Sequence, residues 1–326
     1  MEALVETVTR SLRRLFGLGL LALILAGLTA VPAGAAVPIQ TIAAYDASVG
    51  EEPEGLALDH RGNIYVGLFG TGEIRRITPD GSQTTLAQLP VGFAGVLGIA
   101  TRSGDNAVYA LLASFDPSTH GIWRVGFDGS ATRIAALDPN GLPNGIAFDH
   151  RGNLYVSDSF LGLIWRIAPG GTPEVWAHDP LLEGDPAGIN IGANGLAFDT
   201  HGNLYVANSD RSSVVIVPVR PDGNAGTPRT FVQDDRLHIA DGLAFDVRGN
   251  LYVACSQGND TLFRVRPDRT IETLATAADG LDYPANIAFG TGITDRKDLY
   301  IANDGEDFGH ASVARAQIGT PGLPLP

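Results

Sequence analysis

The chain has 326 residues, a net charge of −14, 18% charged residues and a single cysteine. That excess of acid leaves no basic footprint for nucleic acid, and one cysteine excludes an intrachain disulfide. Length alone would admit two average domains, but an internal repeat makes the chain one unit.

In chain order, the first element is a leader. Arg10, Arg13 and Arg14 precede an apolar run from Leu15 to Ala30, followed by the small residues of Val31-Pro-Ala-Gly-Ala-Ala36. This is the layout of a signal peptide, with basic, apolar and cleavage regions. Cleavage near Ala36 removes three arginines and two glutamates, taking the net charge from −14 to −15. Residues 37–326 would then be exported, to a periplasm or the medium, with no lasting membrane partner. Kept uncleaved, the apolar run would be a short anchor.

The repeat begins at Glu54-Gly-Leu-Ala-Leu-Asp59 with Gly62-Asn-Ile-Tyr-Val66. It returns at Asn144-Gly-Ile-Ala-Phe-Asp149, Asn194-Gly-Leu-Ala-Phe-Asp199 and Asp241-Gly-Leu-Ala-Phe-Asp246, each followed by Gly-Asn-Leu-Tyr-Val. Looser copies start at Leu97-Gly-Ile-Ala100 and Ala285-Asn-Ile-Ala-Phe289. The repeat glycine, or Asn286 in its place, falls at 55, 98, 145, 195, 242 and 286, a spacing of 43 to 50 residues. Units of this length, each with room for four short strands, predict an all-β six-bladed β-propeller.

Blade one sets the pattern: strand A over Gly55–Asp59, B over Asn63–Leu68, C over Glu73–Thr78 and D over Thr84–Leu89. His60-Arg-Gly62 and Pro79-Asp-Gly81 are the turns between A and B and between C and D. The sixth unit lacks a fourth strand after Ala311–Ile318. Ile39–Tyr45 carries the missing pattern and is expected to close the ring by joining that blade. Cys255, in Tyr-Val-Ala-Cys, reads as a small buried hydrophobe. The repeated tyrosines 65, 109, 155, 205, 252 and 300 read as packing residues of strand B.

Strand A lines the axis of a propeller, so equivalent residues at its start meet in one place. The residues just before the repeat glycines are Glu54, Leu97, Asn144, Asn194, Asp241 and Ala285. Two carboxylates and two amides form an oxygen-donor set suited to a hard divalent cation. Ca²⁺ is preferred, and Zn²⁺, Mn²⁺ or Mg²⁺ would accept the same donors. The bland alternative is that these residues cap strand starts and bind channel water. The B–C loops on the same face would form the rim. From them His120, Phe160 and Asn208 are expected to contact a small-molecule substrate, with Asn286 one position inside the mouth. His120 and His310 are also candidate acid–base groups. His60, His150 and His201 lie in turns at the opposite face. No G-x-S-x-G elbow, H-E-x-x-H or phosphate-cradling loop is present.

At these residues the sequence resembles the gluconolactonase and senescence marker protein (regucalcin) family, which are calcium-dependent six-bladed propellers. The resemblance spans about residues 50–305 and rests on Glu54-Gly, Asn194-Gly-Leu-Ala, Asp241-Gly-Leu-Ala-Phe-Asp with Gly-Asn-Leu-Tyr-Val253, and Phe289-Gly with Asp298-Leu-Tyr-Ile301. It implies metal ligation by Glu54, Asn144, Asn194 and Asp241. It departs from the family at Pro53-Glu-Gly-Leu56, at Gly67 and in lacking a counterpart of the sugar-binding arginine. The function it implies is a metal-dependent lactonase or esterase, monomeric, with Asp241 as general base or nucleophile. The regular Gly-Asn-Leu-Tyr-Val units equally resemble NHL-type propellers, which would make the chain a non-catalytic binding module.

Overall fold

The computed structural model describes residues 36–92 and 94–326; the leader lies outside them. Twenty-four strands form six antiparallel sheets of four, the blades of a six-bladed propeller. Blade one runs Pro53–Leu58, Ile64–Leu68, Glu73–Ile77 and Gln83–Gln88, ordered A to D from the axis outward. Strand A therefore starts two residues earlier than its apolar pattern indicates, because Pro53 already pairs with Leu68. Ile39–Ala44 pairs with Ser312–Gln317 and completes blade six, as expected. The two ends of the propeller are thus tied by strand pairing, and that edge is covered.

Hydrophobic burial shows why no blade is stable alone. The main clusters are wedges between neighbouring blades. Leu89 and Ile74 of blade one pack with Val96 and Ile99 of blade two, and Cys255 lies in the wedge joining blades four and five. A smaller cluster of Ala94, Leu97, Ala113 and Leu142, with Phe69, Phe115 and Phe160 against it, caps one mouth of the channel.

The A–B turns explain the second half of each repeat. In blade five, Asp246 is fully buried and accepts from Arg248 N–H (2.8 Å), Asn250 N–H (2.9 Å), Asn250 Nδ2 (2.7 Å) and the Tyr252 hydroxyl (3.2 Å). Blades one and three repeat the arrangement around Asp59 and Asp149. The tyrosines are packing residues, and in these blades each also donates a hydrogen bond to its turn aspartate. The turn glycines Gly62, Gly152, Gly202 and Gly249 have φ between +78° and +81°, where a Cβ is disfavoured.

The repeat glycine of strand A serves a different need. A Cβ on Gly145 would lie 2.4 Å from Asn194 O of the next blade, and one on Gly195 would lie 2.1 Å from Asp241 O. Inner strands can crowd the axis only because these positions carry no side chain. That crowding brings the residues beside the glycines together.

Candidate functional site

Every innermost strand carries a register shift at its start, between Pro53 and Gly55, Val96 and Ile99, Pro143 and Ile146, Ala193 and Leu196, Ala240 and Leu243, and Pro284 and Asn286. A bulge re-aims the side chain it displaces, and the residue before each glycine lies within it. Glu54, Leu97, Asn144, Asn194 and Asp241 line one cavity of about 60 Å³. The four oxygen-donor residues read from the repeat are therefore brought to one place.

Serines hold three of them. Asn144 Nδ2 donates to Ser159 Oγ (3.3 Å), and that hydroxyl donates to Ala193 O of the next blade (2.7 Å). Asn194 Nδ2 donates to Ser209 Oγ (3.1 Å), which donates to Ala240 O (2.8 Å). Since each hydroxyl has one proton and spends it on a carbonyl, it can only accept from the amide. The amide nitrogens are thereby committed to the serines. Asn194 Oδ1 is left buried with no hydrogen-bond partner. Ser256 Oγ donates to Asp241 Oδ2 (3.4 Å).

Two carboxylates not foreseen in the sequence also line the cavity, Asp304 and Glu306. Asp304 Oδ1 and Glu306 Oε2 are buried without partners. Burial, then the Glu52 charge, pushes Glu54 up to about 8. Burial and Glu54 raise Asp241 well above the usual carboxylate range, and burial, Glu54 and Glu306 do the same to Asp304. Glu306 reaches about 8 through burial, Glu52 and Glu54. Like charges desolvated together hold protons unless a cation neutralises them. Among the described residues no three His, Cys, Asp or Glu side chains already form a metal-holding group, so a cation here would have to draw on amide oxygens as well. The orphaned Asn194 Oδ1 and the acidic wall fit that demand.

The remaining predicted contacts are not brought to this cavity. His120 is fully buried behind Phe115, its Nδ1 accepting from Phe115 N–H (3.1 Å). Burial, then the Arg133 charge, lowers it to about 4, so it is a neutral core residue. Phe160 stacks on Phe115 at 6.3 Å in the apolar cap. Asn208 is fully buried and clamps a loop by donating to Leu181 O (2.9 Å) and Glu183 O (3.0 Å). Asn286 lines a second cavity of about 870 Å³ at the opposite mouth. His310 is exposed, 4.0 Å from Asp282. The cavity walls are instead Phe69, Phe115, Leu142, Ile189, Ile191 and Ile239, with Tyr283.

Comparison with known proteins bears on this geometry. Residues 182–304 match the sequence profile of the SMP-30/Gluconolactonase/LRE-like region. The resemblance to the gluconolactonase and regucalcin family is thus supported directly in the last three blades. The stretch holds Asn194, Asp241 and Asp304 but neither Glu54 nor Asn144. Comparison with curated protein sequences finds no match. Among solved structures, a calcium-binding regucalcin from Agrobacterium tumefaciens superposes with a TM-score of 0.68 at 18% identity, covering 89% of this chain and 97% of that one. A gluconolactonase from Xanthomonas campestris gives 0.63 at 17%, covering 91% and 99%. A virginiamycin B lyase from Staphylococcus aureus gives 0.60 at 16%, covering 88% and 89%. Identities this low establish a shared propeller fold, and a fold that serves a lyase as well does not choose the chemistry.

Proposed function

We propose that this chain is a metal-dependent hydrolase of a lactone or related ester, exported through its leader. The observation that supports it is the convergence of Glu54, Asn144, Asn194 and Asp241, from four blades, on one buried cavity with an unpartnered amide oxygen. These four residues would hold the ion, Ca²⁺ by preference for oxygen donors. Bound there, a divalent cation supplies a Lewis acid for the substrate carbonyl.

The chain's own groups define the rest. Asp241, fixed by Ser256, would accept a proton from the water that attacks the carbonyl carbon. A C–O bond forms to that water oxygen, the ester C–O bond breaks, and the proton passes to the departing alkoxide. Phe69, Phe115, Leu142 and Ile239 form an apolar wall that would exclude bulk water from the ion.

The test is a lactonase and aryl-esterase screen of the purified protein, with EDTA and after Ca²⁺ is restored. Activity should vanish on chelation, return with metal, and be absent in Glu54→Gln and Asp241→Asn. Tight metal binding with no turnover across the panel would leave a binding propeller with a structural ion. Absence of metal binding would remove the hydrolase reading altogether. Export is tested separately, by the N-terminal sequence of the protein recovered outside the cytoplasm, expected to begin at residue 36 or 37.

A further inference from the structure

The fourth residue after each strand-B tyrosine forms a second ring, concentric with the first. It reads Phe69, Ala113, Ser159, Ser209, Ser256 and Asp304. One backbone bond places all six. Phe69 N–H donates to Glu52 O, Ala113 to Gly95, Ser159 to Leu142, Ser209 to Gly192, Ser256 to Ile239 and Asp304 to Tyr283, at 2.8 to 3.3 Å. Each acceptor lies two residues before the first-ring residue of its own blade. Asp304 is therefore the blade-six counterpart of the three serines.

Its chemistry differs from theirs. Each serine bonds to a polar first-ring residue on its own blade. In blade six the first-ring residue is Ala285, whose side chain offers neither donor nor acceptor. Asp304 is 6% exposed, lines the cavity and has Oδ1 unpartnered. A short polar side chain would have served as a spacer there. A carboxylate buried without a partner serves a ligand.

We infer that Asp304 is the sixth blade's contribution to the cation cavity: it stands in the cavity wall outside any three-carboxylate ligand group, and its charge, added to those of Glu54 and Asp241, biases the cavity toward cations of high charge. This rests on the metal reading proposed above but concerns a residue that the first-ring pattern does not include. A further carboxylate charge beside the amide oxygens favours Ca²⁺ over the smaller, strongly hydrated Mg²⁺, and favours a trivalent lanthanide over both.

The experiment is titration calorimetry of the purified protein with Ca²⁺, Mg²⁺ and Tb³⁺, alone and as Asp304→Asn, Asp304→Ser, Asp128→Asn and Asp241→Asn. Asp304→Ser installs the residue found in blades three to five, and Asp128→Asn removes an equal charge from an exposed turn. Both Asp304 variants should bind Ca²⁺ at least tenfold more weakly and lose more for Tb³⁺ than for Ca²⁺. Asp128→Asn should change neither by more than twofold. In EDTA the Asp304 variants should melt no lower than the parent, since Oδ1 makes no hydrogen bond for the fold to lose. Unchanged affinities in both Asp304 variants, with binding abolished in Asp241→Asn, would overturn this inference and leave the metal site standing. No binding of Ca²⁺ or Tb³⁺ by the parent protein would overturn both.

Discussion

The two mouths of the channel are built from the same six strands and prepared in opposite ways. At the turn mouth the buried aspartates are saturated: Asp246 alone accepts from four donors. The cavity there is large, about 870 Å³, and walled mainly by the Leu, Ile and Phe side chains of the repeat. At the ring mouth the cavity is about 60 Å³ and its polar groups are left hungry. Eight buried side-chain atoms lack a hydrogen-bond partner among the described residues; three of them, on Asn194, Asp304 and Glu306, line the ring cavity and none lines the other. Backbone strain divides the same way. Phe115 (φ 58°), Ile239 (φ 52°), Gln257 (φ 48°) and Tyr283 (φ 54°) are non-glycine residues in the left-handed region, and all line the ring cavity. Unsatisfied groups and strain persist only where something else stabilises them, and they collect at functional sites. Repetition makes the scaffold, and the broken repetition at one mouth marks the site.

The largest effect expected from this contrast is on activity. Asp241→Asn, at the ring mouth, should lower kcat/KM for a lactone or ester substrate by about 10²–10⁴-fold while leaving the melting temperature in EDTA unchanged or higher. Asp246→Ala, five residues along the same chain, should do the reverse. It strands four donors in a half-buried turn and should cost about 2–4 kcal/mol of stability, with the activity of the folded fraction retained. Steady-state kinetics beside thermal unfolding checks both, and equal loss of activity in the two variants would erase the distinction between the mouths.

Acid should act on the ring side through His120. Its folded value of about 4 lies below the ordinary 6.5 because the ring is buried and faces Arg133. A group depressed on folding contributes its full share above the unfolded value and loses it as pH falls toward the folded one. The wild type's stability advantage over His120→Gln should therefore be constant above about pH 6.5. It should shrink by up to about 3 kcal/mol between pH 6.5 and 4, read from urea unfolding at each pH. Parallel curves would mean that the imidazole takes up its proton in the fold as readily as in the unfolded chain.

How far the site was legible follows from which signals are periodic. The fold and the closing strand Ile39–Ala44 came from strand count and turn spacing, which the repeat prints six times over. The first ring was legible because Glu54, Asn144, Asn194 and Asp241 each stand beside a glycine whose absent Cβ marks close approach to the next blade. His120 and Phe160 sit in loops of unequal length, where no period says which side chains face inward, and Asn208 is the last residue of strand Leu204–Asn208 and not part of the loop after it. Asn286 follows a bulge between Pro284 and Asn286, and it lines the far cavity instead of the near one. Asp304 carries a periodic signal of its own: its distance from Tyr300 equals that of Ser159 from Tyr155 and Ser209 from Tyr205. What the sequence could not display is the shared backbone bond that makes those positions equivalent.

The smallest effect on activity concerns the C-terminal strap. Gly322 bridges Asp246, Leu323 N–H donates to Phe245 O (3.0 Å), and Pro326 O accepts from Ser103 N–H (3.0 Å). Residues 320–326 thereby join blade five to blade two, and Leu323 to Pro326 form part of the wall of the large cavity. Leu323 also packs against the wedge between blades four and five. Truncation after Gly319 removes four backbone hydrogen bonds, including Val247 N–H to Pro321 O (2.9 Å) and Gly322 N–H to Arg296 O (2.9 Å), and the Leu323 contact, a loss of about 2–4 kcal/mol. It should raise the fluorescence of an apolar dye such as ANS by uncovering the Leu, Ile and Phe wall, with kcat/KM staying within twofold. A fall in turnover beyond that, at full folding, would mean that the strap acts across the glycine layer on the ring, and that the two mouths work as one device.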